Sequence, residues 1–380
     1  KAGIAGIETS VQGVGSAVGK GVADLKSFAL GFVGVVAVAQ GAITAIKSIA
    51  STVAEFDQGL ANIRALGAEF AGSIDRIAQA AVELGPKLGV APVEALKGFE
   101  ALAKAGLTTE QILTGGLESA LLLSAAGTIE VGSAAEITAA SLTQFNLQGE
   151  QAGLVADLLA KGANIAQGDV ADFGAALNQT GLVANAFGLT IEETVGGLTA
   201  FAQAGLIGSD AGTSFKAALL RLQAPTETSQ KLLEKYGITL TDTNGNFIDL
   251  AGVAGQLQDK LGGLTQEQRS ATLATIFGQD AIRVANILYE QGADGINKYT
   301  KEVNATGFAN QVAQEKLSSV SGAASKFGAS FDALVLSIDR GDGVIGKFVT
   351  GTLSFLSDAL NGLAGLRADK TITDIADRSD

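Results

Sequence analysis

Residues 88–107, LGVAPVEALKGFEALAKAGL, align without a gap on residues 187–206, FGLTIEETVGGLTAFAQAGL. Gly89 pairs with Gly188, Glu94 with Glu193 and Gly98 with Gly197, and Ala105-Gly106-Leu107 pairs with Ala204-Gly205-Leu206. In the first copy Leu96, Phe99 and Leu102 recur at helical spacing and would bury one face. Pro92 suits a first helical position, where its missing N–H has no intrahelical partner to lose. In the second copy Thr190-Ile-Glu-Glu193 is a capping box, in which the Thr hydroxyl and the Glu carboxylate each accept a hydrogen bond from an orphan backbone N–H. Turn, helix, turn is therefore written twice, and the fold it predicts is built from short helices.

The same punctuation extends outward. Thr108-Thr-Glu-Gln111 and Thr265-Gln-Glu-Gln268 are further capping boxes, and Gly85, Gly106, Gly188, Gly205 and Gly237 read as helix stops. The rhythm breaks at Ile238–Leu250, ITLTDTNGNFIDL, where polar and β-branched residues surround Asn244-Gly245 and predict a small β-hairpin. The fold class is mainly α: a multi-helix module of short amphipathic helices with one hairpin near 238–250, preceded by a hydrophobic Gly/Ala-rich helix. The expected division is 1–54 for that hydrophobic segment, 55–340 for the helical module and 341–380 for a C-terminal amphipathic helix and tail.

Composition narrows the function. The 380 residues carry 26 Lys+Arg against 39 Asp+Glu, a net charge of −13, which is opposite to a phosphate-neutralising surface and argues against sequence-specific nucleic-acid binding. The chain has neither His nor Cys, so the usual zinc ligands, the thiol nucleophile and the histidine base are missing together. Met and Trp are absent too, and the chain begins at Lys1; the expectation is an interior piece of a longer protein. Fifty Gly against three Pro, with few aromatics, describe closely packed Ala- and Leu-rich helices.

Specific chemistry finds little support. Asp242, Asn244 and Asn246 stand at the first, third and fifth positions of a calcium loop, but Phe247 replaces the required Gly and Val253 the bidentate Glu. Gly13-Val-Gly15 lacks the Gly-Lys-Ser/Thr of a phosphate loop. The acid pairs Glu192-Glu193 and Asp169 with Asp172 resemble a glycosidase pair only in residue type; as helix-start acids they complement the helix dipole. No catalytic, metal or cofactor residue is assigned, and no enzyme activity is expected.

Residues 28–46, FALGFVGVVAVAQGAITAI, are free of charge and bracketed by Lys26 and Lys47. A buried bundle helix is the preferred reading and a membrane span the alternative. Phe28, Phe32, Val35, Val36, Val38, Ile43 and Ile46 are its candidate self-association or membrane residues. With the amphipathic stretch Val344–Leu366 they support a second functional reading, a membrane-active, pore-forming or effector protein.

The order of motifs from about Glu55 to about Ile338 resembles the core region of phage tail tape measure proteins. LGVAPVEALKGFEALAKAGLTTEQI, FGLTIEETVGGLTAFAQAGLIGSDAGTSFKAALLRLQAPT, KYGITLTDTNGNFIDL and GLTQEQRSATLATIFGQDAIR follow one another as in that family. Gly89, Gly106, Gly188, Gly205, Gly208, Gly212, Arg221, Pro225, Gly237, Gly245, Phe277 and Gly278 stand at positions similar to the family's recurring ones. The lack of Met, Trp and His, and of a long heptad rod, departs from the pattern. What the resemblance implies is a structural protein of the tail tube lumen near the tip, which sets tail length and leaves ahead of the DNA. The implied partners are other copies of itself, as a trimer or hexamer, the tail tube protein, the distal tail and hub proteins, and the host membrane after ejection. The implied locations are the virion tail and then the host cell envelope.

Overall fold

A computed structural model describes residues 38–319, 325, 326, 328–330 and 332. Two compact units divide the chain, residues 1–59 with 330–380 and residues 60–329. In the first, burial and then the charge of Glu55 push the carboxyl of Asp332 above the ordinary carboxylate range. Helix α1 (Val38–Ala65) runs through the 54/55 position at which the sequence places a boundary. Phe28, Phe32, Val35 and Val36, and the stretch Val344–Leu366, lie outside the described residues; Val38, Ile43 and Ile46 lie on α1. Among the described residues no single helix is long and apolar enough to cross a membrane.

The second unit is a stack of short helices. α2 (Ala68–Gly72), α3 (Ile74–Lys87) and α4 (Pro92–Lys104) lead through a short turn and a wider helical turn at Ile112–Gly116 into α5 (Leu117–Gly127) and α6 (Val131–Gln144). Then come α7 (Ala152–Ile165), α8 (Val170–Ala186), α9 (Ile191–Gln203) and α10 (Gly208–Gln223). The unit continues with α11 (Glu227–Tyr236), α12 (Leu250–Leu261), α13 (Gln266–Phe277), α14 (Ile282–Val303) and α15 (Phe308–Leu317).

One three-residue corner joins many of these helices. α4 ends where Gly106, at φ 96°, turns left-handed; Leu107 N–H then donates to Leu102 O at 3.2 Å and Gly106 N–H to Ala103 O at 3.0 Å. Those two bonds satisfy carbonyls that the helix end leaves open. Leu107 is buried, and the next residue, Thr108, caps the following turn. The same construction recurs at Gly89-Val90-Ala91, Thr128-Ile129-Glu130, Asn146-Leu147-Gln148, Gly188-Leu189-Thr190 and Gly205-Leu206-Ile207, in each case with the middle N–H donating to the carbonyl five residues back. The two aligned stretches are thus a corner, a helix of 13 residues and a corner, twice. Leu96, Phe99 and Leu102 are all buried, as the spacing predicts.

Two expectations need correction. Gly85 is not a stop: it lies inside α3, which continues through Pro86 to Lys87, and the left-handed residue is Gly89. The Gly85 carbonyl accepts the N–H groups of Leu88 and Val90, so it lies within the terminating motif, four residues early. The hairpin at 238–250 is reduced to one antiparallel bridge, Thr241 with Phe247, supported by Asp242 N–H to Asn246 O at 2.8 Å and Ile248 N–H to Leu240 O at 3.0 Å. A two-stranded ribbon without a third strand is marginal by itself.

Glycines also set the helix crossings. A Cβ at Gly98 would lie 2.7 Å from Val131 Cγ1, and one at Gly197 would lie 2.6 Å from Leu250 Cδ2. At Gly212 it would meet backbone: 2.8 Å from the Ala176 carbonyl carbon and closer still to its oxygen. α10 therefore rests directly on the main chain of α8. Behind these crossings Phe201 and Phe215 are fully buried and meet edge to face with ring centres 5.1 Å apart.

Candidate functional site

Nine of the twelve motif positions, from Gly205 to Gly278, lie between α9 and the start of α14, while Gly89, Gly106 and Gly188 make corners earlier in the unit. Gly205 makes the corner into α10, Gly208 is the first residue of α10 beside the Asp172 carboxylate, and Gly212 is the α8 contact. At the far end of α10, the Arg221 guanidinium lies over Gly278; a Cβ there would be 3.3 Å from Arg221 Nε. Gly278, at φ 78°, ends α13 directly after Phe277, which is 1% exposed. Pro225 precedes Thr226, whose side chain caps α11, and Ser229 Oγ of α11 donates to Thr275 O of α13 at 2.9 Å. Arg283 and Asp210 form an exposed ion pair that links α14 to α10. The segment is held by backbone fit and capping.

Four of the acids that invite a chemical reading, Asp169, Asp172, Glu193 and Asp242, accept hydrogen bonds from backbone N–H groups. Asp169 Oδ1 accepts from Asp172 N–H at 2.9 Å while Asp172 Oδ2 accepts from Asp169 N–H at 3.1 Å, a reciprocal box at the start of α8. Glu193 accepts from Thr190 N–H at 2.8 Å. Asp242 accepts from the N–H groups of Asn246 and Asn244 at 2.9 and 2.8 Å. These bonds, that of Asn246 first, hold its carboxyl below the ordinary carboxylate range. Gly245, at φ 82°, closes that turn, and Gly237 ends α11 in the left-handed conformation. Among the described residues no three His, Cys, Asp or Glu side chains gather as a metal site.

Sequence reasoning missed the fastening of α15. Asp157, in the middle of α7, accepts from Gly307 N–H at 2.6 Å and Ala309 N–H at 2.9 Å, so a carboxylate 150 residues earlier caps this helix. Lys161, one turn further along α7, lies 4.3 Å from the centre of the Phe308 ring. At the other end Lys316 donates to Ala126 O and Thr128 Oγ1, closing α5. Nothing local marks Asp157, because its partners are distant in sequence. α15 buries only Ala309, Ala313 and Leu317, so these polar ties carry much of its attachment. Asp157→Ala is expected to cost about 1–2 kcal/mol, the usual loss on removing a cap. Hydrogen exchange at residues 307–317 should rise about tenfold with α9 unchanged; equal protection in the variant would refute the assignment.

A second missed feature is the break in α14. Gly292 turns to φ 58°, and Gln258 of α12 donates to the carbonyls of Tyr289 and Glu290 at 3.2 and 3.3 Å. The glutamine replaces the intrahelical donors that the break removes.

Three comparisons bear on this arrangement. A family model described as "Phage-related minor tail protein" matches residues 78–278. The "Tape measure protein" of Pneumococcus phage Dp-1 is 31% identical over 287 residues, 75% of this chain and 25% of that protein. The "Probable tape measure protein" of Escherichia phage P2 is 30% identical over 165 residues, 43% of this chain and 20% of that protein. The chain thus spans a quarter or less of the length of these relatives. No solved structure matches it.

Proposed function

The chain belongs to the phage-related minor tail protein family, and from that premise we propose that it is the folded module of a tail tape measure protein. The observation that carries this reading is the 31% identity, over three quarters of the chain, to a protein named for that role. The module serves structure and not catalysis: Asp169, Asp172 and Glu193 cap helices, and its glycines fit helices together.

In this reading the whole protein lies in the tail tube lumen with this module toward the tip. It is present in several copies, touches tube and hub proteins, and leaves ahead of the DNA to assist passage through the host envelope. Charge agrees with that path, because a net −13 repels the DNA that follows. Length agrees as well. A continuous helix rises about 1.5 Å per residue, but the corners fold residues 60–329 back on themselves, so the measuring rod belongs to sequence outside this unit.

The test is tail length by electron microscopy after in-frame deletions in the full-length gene outside residues 60–329. Shortening by about 1.5 Å per deleted residue is expected. Tails of unchanged length would remove the measuring role.

A further inference from the structure

α15 differs from the helices around it in what holds it. It buries three of its ten residues, Ala309, Ala313 and Leu317, whereas α9 buries ten of thirteen. Its polar ties to α7 and α5 set a charge against a helix end at each extremity. The Asp157 carboxylate faces the N–H groups that open α15, where the helix dipole is positive. The Lys316 ammonium reaches Ala126 O at 2.7 Å and Thr128 Oγ1 at 2.6 Å, where α5 ends and its dipole is negative. Between the link from α14, Asn304-Ala305-Thr306, and Leu154 and Leu158 of α7 lies a pocket of about 230 Å³, which gives the link room to turn. At the other end Leu317 Cδ2 occupies the space that Gly89 leaves by having no side chain; a Cβ there would be 2.6 Å away. α15 thus closes over the earliest of the corners.

We infer that α15 is a salt-sensitive latch that opens by itself: it hinges at residues 304–306, lifts from α5, α7 and the Gly89 corner, and leaves the other helices folded. Local opening of this kind is drawn from elements with few buried apolar contacts, and α15 is such an element. Salt favours the open state, because a charge at a helix end is weakened as the screening length falls from about 30 Å at 0.01 M to about 3 Å at 1 M. An attachment made by apolar burial alone would not loosen in this way. Open, the latch frees residues 304–317, about 45 Å of extended chain at roughly 3.3 Å for each residue, before any other helix is disturbed. The latch does not depend on the tail reading.

The absence of cysteine makes the test direct. Ala313→Cys supplies a sole thiol beneath the latch and Ala200→Cys one in α9, and both alanines are 0% exposed. In the full chain, thiol labelling at 313 is expected to run about a hundredfold or more faster than at 200, because a local opening costs less than unfolding the core. Raising NaCl from about 0.01 M to about 1 M should speed labelling at 313 about fivefold and leave 200 unchanged. Lys316→Met should speed it about tenfold, by removing a charged donor from the end of α5, and should blunt the response to salt. Should Ala313→Cys itself loosen α15, hydrogen exchange at residues 308–317 of the unsubstituted chain reads the same salt response. Equal labelling at the two cysteines, or exchange at residues 308–317 that salt leaves unchanged, overturns the inference.

Discussion

Gly212→Ala is expected to destabilise the 60–329 unit by about 3 kcal/mol, the upper range for overpacking a tight core. The new methyl would lie 2.8 Å from the Ala176 carbonyl carbon, and a backbone carbonyl cannot rotate aside as a side chain can. α8 and α10 must separate along their length, loosening the layer that carries Phe215 and Leu219. In a unit of this size the loss appears as a fall in melting temperature of about 6 °C. Gly132→Ala supplies the contrast. It sits inside α6 with nothing within 4 Å of the new methyl, and is expected to stabilise by about 0.5–1 kcal/mol through helix propensity alone. Equal melting temperatures for the two variants would show that the α8–α10 contact is looser than described.

Phe201→Ala should cost about 3–5 kcal/mol. Its ring is wholly buried and meets Phe215 edge to face, so truncation removes both apolar burial and the aromatic contact. The cavity would open where α9 and α10 meet, and the close fit of Gly197 against Leu250 holds α9 in place. Urea unfolding is the measurement. A midpoint shift worth less than about 1 kcal/mol would mean that the neighbouring helices close over the gap.

What could be read from the sequence follows the range of the forces involved. The corners at Gly106, Gly188 and Gly205 and the capping boxes at Thr108, Thr190 and Thr265 were legible, because a left-handed residue and a cap act within six residues. The corners at Thr128 and Asn146 share the bond to the carbonyl five residues back without glycine. Asn146 carried a usable signal, since Asn tolerates the left-handed region and Leu147 and Gln148 follow it as Leu and Thr follow Gly elsewhere. Thr128 carried none.

Contacts between distant segments were not legible. Gly212 stands at a family-like position, but nothing in the sequence says that it meets Ala176. Asp157 binds α15 from 150 residues away, and Gln258 repairs a break in α14 that its own neighbours do not announce. The bridge at Thr241 was overread because alternation specifies a pleat and not the further strands that would extend it. As for chemistry, Glu193, Asp169 and Asp172 lie at helix starts as read, and the structure gives the partner of each carboxylate.

The chain has no cysteine to cross-link it, and the six corners are each closed by a backbone hydrogen bond to the carbonyl five residues back. Drawn out from its ends, the 270 residues from Leu60 to Ala329 would pay out about 900 Å of extended chain, at roughly 3.3 Å for each. Folded, the unit stores that length with no covalent cross-link, so that drawing it out breaks hydrogen bonds and packing but no covalent bond.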